Sequence, residues 1–164
     1  LGIRGNAGDF GLDVAARHLD AMREWLAPRR LRPLRPLVAL AAGAAYGPAK
    51  QWPVAHFAAL IDALAADHDV ESVLVGAPSE RALCERVAAA SRAGALVAAG
   101  VTSVGELLAL LSLCAGFAGN DSGPMHVAGA LGLATVGIFG STDAERTAPL
   151  GARTRVLRTG IECS

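Results

Sequence analysis

The stretch 116-GFAGNDSGPMHVAGALG-132 decides how the rest of the chain is read. A short apolar run gives way to Asn120, Asp121, Ser122 and Gly123, and then to apolar residues at helical spacing. That order marks a strand turning directly into a helix, with the polar residues at the strand's carboxyl end. Asp121 or Ser122 is placed to cap the helix, Pro124 suits its first turn, and Gly123 lets another molecule approach the backbone. Free N–H groups and the positive end of the helix dipole at such a position suit a phosphate. His126 lies one turn beyond Ser122 and can face the same ligand. The plainer alternative is a well-capped helix with a core histidine behind it.

The same alternation runs through most of the chain. Apolar segments at 37–42, 72–76, 95–99, 116–119, 135–140 and 154–158 read as strands. Helical patterns at 53–66, 79–91, 103–113 and 123–132 lie between them, each opened by Pro, Ser, Thr or Asp. Strands that are apolar throughout belong to a parallel sheet covered on both faces. The expected fold is therefore α/β: a Rossmann-like, doubly wound parallel sheet of about six strands. Ahead of it, residues 10–27 carry the pattern of one amphipathic helix. The segment 28-PRRLRPLRP-36 cannot continue that helix and reads as a connector whose arginines face water.

Composition narrows the function classes. A chain of 164 residues fits one domain, and its 52% hydrophobic content suits a well-buried core. Zero formal net charge leaves no footprint for nucleic acid, and no stretch approaches the roughly 18 apolar residues of a membrane span. Cys84, Cys114 and Cys163 are odd in number and lack metal-ligand spacing, which points to a reducing compartment and no metal. With no initiator Met and no signal segment, the chain reads as a piece of a longer one. Neither GxGxxG after the first strand nor GxxxxGK[ST] is present, which argues against a standard dinucleotide dehydrogenase and a P-loop enzyme. GxSxG is missing too, so nucleophilic hydrolysis lacks support.

In doubly wound sheets ligands bind beyond the carboxyl ends of the strands, so the loops there hold the candidate residues. In 43-GAAYGPAKQWP-53, Lys50 is the sole lysine of a chain with 15 Lys and Arg residues. A compact ammonium on a flexible stem suits a diphosphate, whereas a merely solubilising residue would be an arginine in this chain. Trp52 and Pro53 read as the start and first-turn packing of the next helix. In 76-GAPSE-80, Glu80 can accept from two ribose hydroxyls; taken alone, it reads as a carboxylate complementing a helix dipole. In 100-GVTSVGEL-107, Thr102 or Ser103 caps a helix and Glu106 completes a capping box, while the Gly100–Val101 backbone can border an adenine. Gly140, Ser141 and Thr142 offer a second phosphate cradle or an ordinary turn.

Taken in order, GAAYGPAKQWPVAHFAAL, VLVGAPSE, GVTSVGELLALLSLC, GNDSGPMHVAGALG and VGIFGSTDAERTAPLG resemble the C-terminal half of the ADP-heptose:lipopolysaccharide heptosyltransferases, especially the heptosyltransferase II type of glycosyltransferase family 9. The resemblance covers most of residues 37–164. It implies the C-terminal half of a GT-B architecture: residues 1–36 are a connecting helix and linker from a missing N-terminal domain, and 37–164 bind the nucleotide-sugar donor. Lys50 then matches a basic residue that meets the donor's phosphates or sugar, and Glu80 an acidic residue near the ribose. Thr102 joins the donor-binding set. Asp121, Ser122, Gly123 and His126 match the family's DSGxxH-like site, with Asp121 near the heptose and the helix start near the diphosphate. Pro124 departs from the usual leucine or similar apolar residue there, a change the first turn of a helix tolerates.

The implied reaction moves L-glycero-D-manno-heptose from ADP-heptose to the lipopolysaccharide inner core with inversion. The catalytic base belongs to the missing domain, so none is assigned here. The resemblance implies no cofactor, no metal, and work at the cytoplasmic face of an inner membrane with peripheral membrane association. The competing readings are a GT-B enzyme for another nucleotide sugar and a non-catalytic nucleotide-binding module.

Overall fold

In chain order the elements are α1 (Ala16–Leu26), β1 (Leu37–Ala41), α2 (Val54–Asp67), β2 (Glu71–Leu74), α3 (Arg81–Ala90), β3 (Leu96–Val97), α4 (Val104–Ser112), β4 (Gly116–Asn120), α5 (Gly123–Ala130), β5 (Ala134–Phe139), α6 (Ala144–Thr147) and β6 (Thr154–Arg158). They are seen in a computed structural model that describes residues 12–30, 32–44, 51–140 and 144–158, with Glu145 described through its backbone alone. A one-turn 3-10 helix, Pro78–Glu80, precedes α3. The strands form one six-stranded sheet in the order β3-β2-β1-β4-β5-β6, and every neighbouring pair is parallel. This is the expected doubly wound Rossmann-like fold, with the strand order reversing between β1 and β4.

Side-chain alternation along each strand divides the interior in two. Leu37, Ala39 and Ala41 of β1, with Val73, Phe117 and Phe139, face a core shared with Met22 and Leu26 of α1, Leu110 and Leu111 of α4, and Met125 of α5. Leu40, Ala42 and Leu74 face the opposite core, filled by Phe57 and Ile61 of α2 and by Cys84 and Val87 of α3. Burial on both faces is why these strands lack an alternating polar side. Burial also pushes the Cys84 thiol up to about 11 and the Cys114 thiol up to about 12, with Glu80 and Glu85 adding to the effect at Cys84. Cys163 lies outside the described residues.

Several expectations need correction. The first helix begins at Ala16, not at residue 10; Asp13 and Val14 precede it without helical structure, and Ala15 is extended at φ −64° and ψ 134°. Residues 10 and 11 lie outside the described residues. The third strand is two residues long, Leu96 and Val97, and pairs at the sheet edge with Val73 and Leu74. Glu71 and Ser72 of β2 are buried polar residues, and β6 is exposed along most of its length, so neither strand is apolar throughout. The short helix α6 falls in a stretch that read as a loop.

The connector's arginines also do more than face water. The Nε of Arg30 donates to Glu71 Oε2 at 2.8 Å, and the two side chains are only 16% and 7% exposed. Arg30 also donates to the carbonyls of Arg32 and Arg35, and Arg35 pairs with Asp69. A carboxylate buried at the start of β2 requires a cation with it, and the connector supplies that cation across 41 positions of sequence. Arg32 and Arg29 keep to the surface, as expected of this segment.

Candidate donor site at the carboxyl edge of the sheet

Because all strands are parallel, the segments after β1, β2, β3 and β4 emerge on one edge. There they enclose a cleft of about 320 Å³ beside the β1/β4 switch point. Gly43 lines it after β1, Gly76 to Pro78 and Glu80 after β2, Thr102 to Val104 and Leu107 after β3, and Ser122 to Pro124 after β4. Four of the expected site residues, Glu80, Thr102, Ser122 and Gly123, thus share one cleft. Among the described residues that line it, Glu80 is the one charged side chain.

Glu80 is held from two sides. Its Oε2 accepts the Ala77 N–H at 2.7 Å, which closes the 3-10 turn that Pro78 opens. Its carboxylate also lies directly over the backbone of Gly43: a Cβ there would come 1.9 Å from Oε1 and 2.1 Å from Cδ. A Cβ at Gly76 would come 2.7 Å from Oε2. Two glycines, on β1 and β2 exits, make the seat that holds this acid over the sheet edge. The wall after β3 is fixed differently. Gly100 takes φ +76°, a left-handed conformation suited to glycine, and passes so close to Pro78 that a Cβ would sit 2.9 Å from its Cα.

The capping box expected at 103–106 is present. Ser103 Oγ accepts the Glu106 N–H at 3.3 Å, while Glu106 Oε2 accepts the Ser103 N–H at 2.7 Å. The Ser103 N–H, and then its hydroxyl, which also donates to Oε2 at 2.7 Å, hold the Glu106 carboxyl below its usual range. Helix α5 is capped otherwise than expected. Ser122 occupies the N-cap position, but its side chain makes no capping bond, and its buried Oγ has no hydrogen-bond partner among the described residues. Pro124 has no N–H to offer in the first turn, and the Met125 N–H donates to the Ser122 carbonyl at 3.1 Å. The hydroxyl is left on the wall of the cleft.

Asp121 and His126 are not among the residues that line this cleft. They face each other, with His126 Nε2 4.0 Å from Asp121 Oδ1; the aspartate is 8% exposed and the histidine 48%. Trp52 and Pro53 begin α2 as expected: Pro53 is its N-cap residue, and the Trp52 ring meets Phe57 edge-on at 5.1 Å. Lys50, Ser141 and Thr142 lie outside the described residues. Among the described residues, no group of three or more His, Cys, Asp or Glu could hold a metal ion, and no helix is long and apolar enough to cross a membrane.

Sequence reasoning passed over Asn120. It is fully buried at the end of β4, and its amide joins the two ends of the loop after β1. Nδ2 donates to the Ala42 carbonyl at 2.7 Å and more weakly to that of Gly43 at 3.4 Å; Oδ1 accepts the Trp52 N–H at 3.0 Å. The available signal was an asparagine at the end of an apolar run, a buried polar group that must find partners.

The sheet with its flanking helices is shared with known proteins. The sequence profile of glycosyltransferase family 9 (heptosyltransferase) matches residues 10–164. The chain belongs to glycosyltransferase family 9. Within the family, lipopolysaccharide heptosyltransferase 2 of Escherichia coli is 34% identical over 128 residues, 76% of this chain and 36% of that protein. The structure of E. coli ADP-heptose lps heptosyltransferase II superposes with a TM-score of 0.79 at 30% identity, covering 90% of this chain and 44% of that one. A family 9 glycosyltransferase from Veillonella parvula superposes with a TM-score of 0.84 at 25% identity, covering 94% and 44%. This family 9 chain therefore spans well under half the length of the relatives it matches.

Proposed function

We propose that this chain is the donor-binding part of a family 9 glycosyltransferase, in which residues 37–164 hold ADP-heptose and residues 1–36 lead in from an N-terminal domain. The observation that carries the reading is the convergence of Glu80, Thr102, Ser122 and Gly123 on one switch-point cleft. Family membership supplies the chemistry: the related E. coli structure is that of an ADP-heptose lps heptosyltransferase. In this reading the ribose hydroxyls donate to Glu80, whose second carboxylate oxygen is not needed by Ala77. Thr102 and the walls around it flank the adenosine. The diphosphate lies at the start of α5, where Ser122 Oγ has no partner among the described residues and the helix dipole favours an anion.

A diphosphate also needs a cation, and the described walls of the cleft carry none. Lys50, on the segment between Gly43 and Trp52, is the residue assigned to that task. Its charge and the helix N–H groups stabilise the ADP leaving group as the sugar–phosphate bond breaks. Asp121 and His126, side by side next to the helix start, lie toward the heptose. The acceptor is a heptose of the lipopolysaccharide inner core, transfer proceeds with inversion, and the base that removes the acceptor proton comes from the N-terminal domain. The protein works at the cytoplasmic face of the inner membrane, with peripheral membrane association.

Calorimetric titration of Lys50→Ala with ADP and with adenosine tests this assignment. ADP should weaken by about tenfold or more, the loss of one charge-assisted contact, with adenosine little changed. Equal loss for both ligands would remove Lys50 from the phosphates.

A further inference from the structure

We infer that Asn120 is a positioning residue for donor binding: its amide fixes where the Lys50-bearing segment leaves and re-enters the sheet edge. The inference rests on the assignment of Lys50 to the diphosphate made above. Its basis is a division of labour within one buried side chain. The β1/β4 backbone ladder ends at the pair Ala41 and Gly119, so the residue that follows β1, Ala42, has no strand partner on that side. Asn120 replaces the missing ladder with its side chain, donating to the Ala42 carbonyl at 2.7 Å. The same amide then accepts the Trp52 N–H at 3.0 Å, where the chain returns to begin α2. The exit and the return of the segment are thereby bound to one rigid planar group.

The chemistry singles out an asparagine. Carbonyls can only accept and the Trp52 N–H can only donate, so the group between them must offer a donor on one side and an acceptor on the other. An ionised aspartate offers acceptors alone and would set an oxygen against the Ala42 carbonyl. Asn120 is also fully buried and immediately precedes Asp121, Ser122 and Gly123, so the clamp ties the segment to the strand end that carries the phosphate-facing helix. The contact with the Gly43 carbonyl is long, 3.4 Å, whereas Gly43 lies directly beneath the Glu80 carboxylate. Loosening the clamp should therefore weaken ADP, the ligand assigned to Lys50, more than adenosine.

The test is a double-mutant cycle on the full 164-residue chain, read by calorimetric titration with ADP and with adenosine. Asn120→Asp should weaken ADP by about tenfold while changing adenosine by less than about twofold. In the Lys50→Ala background it should cost ADP little further, because the two residues act as one unit. Asn120→Ser keeps a donor but cannot span both loop ends; it provides the same comparison should the aspartate variant unfold, and thermal melting identifies that case. Equal loss of ADP and adenosine, or full additivity with Lys50→Ala, would show that Asn120 serves stability alone. If Lys50→Ala by itself spares ADP, the donor-site assignment of Lys50 fails and the inference falls with it. If Lys50→Ala weakens ADP and the Asn120 variants do not, only the positioning role fails.

Discussion

Replacing Gly43 by alanine tests the seat of Glu80 with a change that adds one methyl group. Gly43 does not require a left-handed backbone, so its main chain accepts alanine without strain. The new Cβ would lie 1.9 Å from Glu80 Oε1 and 2.1 Å from Cδ, far inside contact distance, and the flexible carboxylate must swing away. Swinging away breaks its 2.7 Å bond from the Ala77 N–H. A hydrogen bond to a charged group contributes about 1.5–3 kcal/mol, and the partly exposed position of Glu80 places the stability loss at the lower end, about 1.5 kcal/mol. If the ribose hydroxyls donate to the same carboxylate, adenosine affinity should fall by roughly tenfold or more. The assay is titration with adenosine alongside thermal unfolding, for Gly43→Ala, Glu80→Ala and the double variant. The two substitutions remove one interaction, so the double variant should bind no worse than Glu80→Ala. Unchanged adenosine affinity in Gly43→Ala, or additive losses in the double variant, would refute the reasoning.

Other predictions follow from the buried pair, the low carboxyls and the thiols. Arg30→Ala removes the 2.8 Å ion pair from buried Glu71 and should destabilise the fold by about 3 kcal/mol in denaturant titration, whereas Arg29→Ala, at the surface, should cost little. The bond from the Ala93 N–H and then that from Ser91 hold the Asp62 carboxyl below its ordinary value of 3.8. A depressed carboxyl contributes stability that is present above its unfolded value and lost as pH falls through the folded one. Asp62→Asn should accordingly lower the melting temperature at neutral pH, with the gap to the unsubstituted chain closing as pH drops below about 4. Cys84 and Cys114, buried and pushed up to about 11 and about 12, should resist iodoacetamide at pH 8 until denaturant is added, as peptide mass spectrometry would show.

What the sequence made legible was local. The apolar runs lie in strands and the helical patterns in helices because burial on both faces writes itself directly into composition. The Ser103–Glu106 capping box is legible for the same reason: its partners are three residues apart. What escaped depends on residues brought together by the sheet. Glu71 is bound to Arg30 across 41 positions, and nothing near either residue announces the other. Asn120 reaches Trp52 across 68 positions, so its clamp exists only once β1 and β4 are neighbours. Asp121 or Ser122 read as the cap from their place before the helical pattern; Pro124 lacks an N–H and the Met125 N–H goes to the Ser122 carbonyl, so the Ser122 hydroxyl makes no capping bond. The glycines beneath Glu80 could be read as loop residues, but their role as its seat needs the β1 and β2 exits side by side.

Calorimetric titration of the 164-residue chain with ADP, UDP and ADP-heptose in parallel tests whether the cleft selects an ADP-linked sugar. ADP and ADP-heptose should bind in preference to UDP, with both ADP ligands weakened by Lys50→Ala. UDP bound as tightly as ADP, or more tightly, would contradict that preference and place the chain with glycosyltransferases that use another donor.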